Sequence, residues 1–234
     1  MTDMLHNFPI DIVVFAGIAV ALGWRLRTVL GRRGGAQPVV AIRSMPVDAR
    51  PRPQPVRPAL ESQPDPAFEI PTPSTRIGQV LTEIGKLDRH FDASTFLREA
   101  AGTFRTVVVA FAQGDRDRLR RFLTNDAYAA FDSAISAREA AGETQRSEIR
   151  GILSMAIDDA ALSRPAAEDS RALPVATVDV RIVSQQISLL NGADNQPVSG
   201  TDAVTEFSDL WRFERLTGPD APESLWRLAS ARAA

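Results

Sequence analysis

The residues able to do chemistry are few. The chain has 234 residues and no cysteine, which removes disulfides, thiolate metal sites and cysteine nucleophiles. Its two histidines, His6 and His90, lie far apart, so a multi-histidine metal centre has no basis and no cofactor is expected. Acid–base work would need a carboxylate in apolar surroundings, with a donor for developing negative charge. Four aspartates fall in strand-like sequence: Asp158, Asp159, Asp179 and Asp209. Asp158 and Asp179 alternate with apolar neighbours and should face outward. Asp209 shares parity with Phe207 and Trp211, which makes it the one candidate for an inward carboxylate. Tyr128 is the sole tyrosine. A lone carboxylate near aromatics is more often a hydrogen-bonded structural group, so no catalytic residue is assigned.

The second chemical set is cationic. Arg116, Arg118, Arg120 and Arg121 crowd into GDRDRLRRF and are the candidate contacts to an anionic surface. Their plainer reading is a solvated helix face, partly neutralised by Asp117 and Arg121 at four-residue spacing. Positive residues outnumber acids between Arg76 and Arg121, so anionic lipid is a reasonable neighbour for this half. The whole chain has a formal net charge of -2, which gives no reason to expect nucleic-acid binding.

These groups must be positioned by helices. From Phe96 to Gly142 the sequence predicts three. Phe96, Ala100, Phe104, Val107, Val108 and Phe111 recur at three- and four-residue spacing. Length and period favour helix over the strand preference of Val107 to Val109. Gly114 is a left-handed stop, and Asp115 is placed to cap the next helix. There Leu119, Phe122 and Leu123 share a side. Thr124 caps a third helix, with Tyr128, Phe131 and Ile135 as its stripe and Gly142 at its end. Upstream, residues 76–91 form an amphipathic helix through Ile77, Val80, Leu81, Ile84 and Leu87, weakened by Gly78 and Gly85.

After Gly142 the period changes to two. Ile149, Leu153, Met155 and Ile157 predict one buried strand face; Val178, Val180 and Ile182 predict another, with a bulge or bend near Ser184. NGADNQPVSG should be a long polar connection. Phe207, Trp211 and Phe213 face one way on a third strand, and Trp226 and Leu228 on a fourth. Helices followed by about four meandering strands predict an α+β domain with helices on one face of an antiparallel sheet.

The amino-terminal third is different. Residues 8–24 form an apolar run of about 17 residues, interrupted by Asp11, near the lower limit for spanning a bilayer. Arg25, Arg27, Arg32 and Arg33 follow it. A cleavable signal peptide would carry its charge before the run. A single-pass anchor explains both features, and the arginines place the following domain in the cytoplasm rather than the periplasm. Residues 25–75 are a basic, proline-rich stretch expected to be disordered. Ten of the chain's 16 prolines lie between Gly34 and Thr75, a density that favours an extended spacer.

The run from Phe96 to Glu143, then EIRGILSMAIDDAAL, ATVDVRIVSQQ, DLWRFERL and LWRLAS, resembles the Tim-forty-four-like domain family over roughly residues 92–234. The apolar run with WRLRTVLGRR is similar to the amino terminus of bacterial members. The resemblance implies a cone-shaped fold related to the nuclear-transport-factor-two superfamily, with a curved antiparallel sheet and an apolar groove. It also implies a non-enzymatic adaptor at the cytoplasmic face of a bacterial inner membrane. Such an adaptor would assist protein translocation or membrane-protein assembly by binding a partner polypeptide or anionic lipid. Candidate groove residues are Phe96, Phe104, Phe111, Tyr128, Trp211 and Trp226. The alternative from the same fold is a small-ligand binder or acid–base enzyme.

Overall fold

The computed structural model describes residues 66–163, 173–218, 221 and 225–234. The expected anchor and the linker up to residue 65 lie outside the described residues. Among the described residues no helix is long and apolar enough to cross a membrane. The elements run β1 (Ala67–Glu69), α1 (Arg76–Leu87), α2 (Ala93–Gln113), α3 (Arg116–Phe122), α4 (Asn125–Ala140), β2 (Thr144–Ser163), β3 (Val175–Asn191), β4 (Pro197–Leu216) and β5 (Arg227–Ala233). The five strands lie in sequence order in one sheet. Strands β2 to β5 are antiparallel neighbours, whereas β1 adds to β2 in parallel. This is an α+β domain with its helices on one sheet face.

Local chemistry sets the helix limits. The Asp92 carboxylate accepts from the Thr95 amide at 2.8 Å, which starts α2 and holds the Asp92 carboxyl below its ordinary range. Gly114, at φ 69°, ends it in the left-handed region that glycine enters without steric cost. Asp115 and Thr124 cap α3 and α4 by accepting from Arg118 and Ala127 amides. Helix α1 starts at Thr75, whose hydroxyl accepts from the Gly78 amide at 3.0 Å. Gly78 is there because the chain folds back on it: a Cβ would lie 1.9 Å from the Thr72 carbonyl oxygen.

The sheet departs from the sequence reading in four places. Strand β1 is an extra strand at the end of the proline-rich stretch. The connection between β3 and β4 is short, because Pro197 to Gly200 already belong to β4. The register shift in β3 falls between Gln186 and Ser188, beyond Ser184. Leu153 is not in the core; it is 41% exposed, and Ile152 is buried instead. Strand β2 is bulged between Ile149 and Gly151 and again between Ile152 and Ser154, and each extra residue turns the following side chains to the other face.

The core lies between α2 and the sheet. Phe96 meets Phe213 edge-on at 5.7 Å and Trp226 at 4.8 Å; Phe104 meets Trp211 at 4.8 Å. Val178, Val180, Ile182 and Met155 complete it, all fully buried. An ion pair fastens the helices to the far end of β4. Asp88, the C-cap of α1, is paired with Arg215, with side-chain exposures of 8% and 18%. The Asp88 carboxylate also accepts from the His90 amide at 3.0 Å, and the Arg215 guanidinium lies 5.8 Å from the Trp226 ring centroid.

Two substitutions test these fastenings by chemical denaturation. Asp88→Ala strands the Arg215 charge in an enclosed site and should lower stability by about 3 kcal/mol. Gly78→Ala drives a methyl into the Thr72 carbonyl and should cost about 1–3 kcal/mol, although alanine is the better helix former.

Candidate binding surfaces on the inner sheet face and the arginine helix

The aromatic residues expected to line a groove divide into two groups. Phe96, Phe104, Trp211 and Trp226 are at most 5% exposed, so they are core and do not line an open groove. The physical reason is α2: 21 residues long, it lies across the sheet and fills the space between the rings. Phe111 and Tyr128 stay half-buried. The Phe111 ring meets Phe131 edge-on at 5.1 Å, under the Arg138 guanidinium at 5.1 Å. Tyr128 accepts from Arg120 Nη2 at 3.0 Å, with the guanidinium 4.6 Å from its ring centroid.

The four arginines of α3 also divide. Arg116 is committed to α4: its Nε donates to Asp132 at 2.6 Å and its Nη1 and Nη2 to Glu139 at 2.9 Å, with Ser136 at 3.1 Å. Those carboxylates raise the guanidinium pKa, and in turn Arg116 lowers that of Glu139. Arg116 is therefore a clamp between helices, not a free contact for an anionic surface. Arg120 is engaged with Tyr128, and Arg118 lies 3.4 Å from Asp115. Arg118, Arg120 and Arg121 remain exposed.

Sequence reasoning missed Arg138. It is 9% exposed and donates to the Phe111 and Ala112 carbonyls at 2.8 and 3.3 Å and to Gln145 at 2.6 Å. Burial lowers its pKa. Its place at the negative end of α2 favours the cation. The signal was present, since Phe131, Ile135 and Arg138 fall on one helical stripe.

Under the helices the inner sheet face changes character along its length. The rows through Phe213, Val178 and Ala160, and through Trp211, Val180 and Ile157, are apolar. The next row pairs Asp209 with Ile182 and Ala233, and the one after pairs Phe207 with Ser184. Ser184 and Gln186 are buried, and Gln186 Nε2 donates to Ser184 Oγ at 2.8 Å. Asp209 therefore occupies the inward position its parity predicts, half-buried between Phe207 and Trp211. Burial pushes its carboxyl up to about 6. Its outward counterparts are paired: Asp158 with Arg181, and Asp179 with Arg212 through two bonds of 2.7 and 2.8 Å. A separate open hollow of about 310 Å³ lies between α1 and the end of β2, lined by Arg76, Gln79, Val80, Glu83 and Leu162. No cluster of metal-ligating side chains occurs among the described residues.

Asp209 makes stability depend on pH with a definite sign. Its folded pKa lies above the unfolded value of about 3.9, so the fold prefers the protonated form. The contribution is full below about pH 4 and is lost as pH rises through about 6. Asp209→Asn should raise stability at pH 7.5, by up to about 3 kcal/mol. In thermal unfolding scans the gain should vanish near pH 4; equal melting behaviour at pH 7.5 would contradict the assignment.

No curated protein matches the chain. The intermembrane-space region of the chloroplast protein ARC6 is 12% identical, with a TM-score of 0.41 over 62% of this chain and 97% of that one. A protein described as a polyketide cyclase from Xanthomonas campestris pv. campestris is 15% identical, with a TM-score of 0.29 over 58% and 91% of the two chains. Neither likeness is close enough to bear on function. The sequence of residues 77–233, which contains every element from α1 onward except its first residue, matches the model of the Tim44-like domain. The chain belongs to the Tim44-like domain family.

Proposed function

We propose that this protein is a membrane-anchored, non-enzymatic adaptor. It holds its folded domain at the cytoplasmic face of a bacterial inner membrane, where the domain binds a partner polypeptide during translocation or membrane-protein assembly. Membership of the Tim44-like family supports a membrane-associated, translocation-related role. The observation that carries the finer reading is the order of features in the chain: an apolar run, then arginines, then a proline-rich stretch, then this domain. A run of that length reaches roughly 26 Å as a helix, enough for a thin bilayer core. The arginines after it set the orientation.

Under this reading a smaller set of residues serves the adaptor. With four of the six aromatics in the core, the half-buried Phe111 and Tyr128 are the groove candidates that remain near the surface. Arg118, Arg120 and Arg121 are the cations of α3 that face solvent, and anionic headgroups are the chemistry they fit. An acid–base function has one point in its favour, the desolvated Asp209, but no second titratable side chain is seen beside it among the described residues.

Alkaline carbonate extraction tests the anchor: the full-length protein should stay in the membrane pellet, and its release into the supernatant would refute the anchor. Orientation has its own readout. A carboxy-terminal alkaline phosphatase fusion should be inactive; an active one would put the domain in the periplasm. Photocrosslinking from Tyr128 in native membranes should capture a polypeptide or an anionic lipid. Capture of neither would overturn the adaptor reading.

A further inference from the structure

We infer that the edge of β2 at Ser154–Ala156 is a docking slot for a short extended polypeptide segment with a bulky apolar residue at its centre, and that β1 fills this slot in cis. Strand β1 covers only three of the 20 residues of β2: Ala67, Phe68 and Glu69 stand beside Ser154, Met155 and Ala156. The pairing is parallel, whereas β2 to β5 are joined antiparallel. Ala67 and Glu69 are exposed, so the side chain that holds β1 in place is Phe68. Its ring is half-buried, opposite the fully buried Met155, and packs against the core. Pro66 and Pro71 flank the segment, and proline brings no amide hydrogen to extend a ladder.

A strand held by one side chain and a few edge hydrogen bonds opens locally, without global unfolding. The turn after β1 is built to stay. The Thr75 amide and hydroxyl both donate to the Thr72 carbonyl, at 3.0 and 2.8 Å, and that carbonyl lies against Gly78 of α1. When β1 lets go, this turn keeps it beside the slot at a high effective concentration. The opened β2 then presents an unpaired strand edge and the apolar place that the Phe68 ring has left. In strand addition, main-chain bonds give affinity and such places give specificity. The occupant that fits is a partner polypeptide with the pattern of β1 itself, an aromatic or large aliphatic residue between two residues that face solvent. Strand β1 is thus an autoinhibitory strap that any such partner must displace. The inference rests on the polypeptide-binding part of the proposed function, but it needs neither the membrane anchor nor Phe111 and Tyr128.

The test uses full-length protein in a non-ionic detergent and a fluorescein-labelled peptide with the sequence of residues 66–71, followed by fluorescence anisotropy. Phe68→Ala removes the ring that anchors the strap, and Glu69→Pro disrupts its pairing from an exposed position. Circular dichroism identifies which of the two variants is folded. A folded variant should bind the peptide at least tenfold more tightly than the wild type, whose slot is filled. A peptide with alanine in place of its phenylalanine should bind at least tenfold more weakly. Hydrogen exchange on the wild type gives a readout free of any folding defect. There the amides of β1 that bond to β2 should exchange at least tenfold faster than those of Val178–Ile182 in the sheet centre. No saturable binding by a folded variant, equal binding by the wild type, or indifference to the phenylalanine would each overturn the inference. So would β1 amides as slow as the sheet centre, and unfolding of both variants would make β1 an integral strand and overturn it equally. Carbonate extraction and Tyr128 crosslinking do not involve the strap, so a failure here is separable from a failure of the adaptor role.

Discussion

The whole domain depends on α2 lying flat against the sheet. Phe96, Leu97, Phe104 and Val107 are each at most 1% exposed, on one side of a helix that could not fold alone in that form. Truncating a buried phenylalanine of this kind typically costs about 3–5 kcal/mol, a large share of the stability of a single domain. The sheet side supplies rings at matching intervals: Phe213 and Trp226 for Phe96, then Trp211 for Phe104. Edge-on contacts of this geometry add to the area term. The other helices are arranged around that contact. Helix α3 docks Leu119 and Leu123 beside β5 through the Leu123–Leu228 bridge, and Arg116 ties α4 to α3.

Two fastenings keep that packing in register. Arg215 and Asp88 join the end of β4 to the turn between α1 and α2, so a helix junction is fixed to a strand 127 residues later. Arg138 does the same at the other end of α2, where its guanidinium takes the carbonyls that the helix leaves free. Both are charged groups in enclosed positions, and both are satisfied by several partners. Such groups add less to stability than apolar packing, but they penalise any docking of the helix that leaves them unpaired.

What the sequence made legible follows from how local each signal is. The caps at Asp115 and Thr124 and the stop at Gly114 depend on three or four neighbouring residues, and they stand where their chemistry places them. The parity of Asp209 with Trp211 needed only an uninterrupted strand, and β4 is uninterrupted from Thr205 to Leu216 against β3. Leu153 was misplaced because bulges in β2 are set by the partner strand's register and leave no local trace. The partners of Arg116 sit 16 and 23 residues away on another helix, beyond any spacing rule for a single helix. The aromatic residues carried an ambiguity that sequence could not resolve. Alternation puts Trp211 and Phe213 on the inner face, but whether that face is groove or core depends on where α2 comes to rest.

That ambiguity explains how the inner face is divided. The rows that α2 covers with Phe96 and Phe104 are apolar and closed, and no charge could sit there without a partner. One step further along the strands, Met155 and Ile182 still close the middle of the sheet, but β4 presents Asp209 and then Phe207, and β3 presents Ser184 and Gln186. If packing were the only demand on these positions, a leucine at 209 would bury more apolar area and leave no carboxylate to desolvate. The chain instead keeps an acid between two aromatics while pairing the acids of the outer face with arginines. The stability of the closed rows can absorb this local cost. The boundary between the two halves of the face, at Trp211 and Asp209, is therefore where the apolar packing under α2 gives way to polar residues.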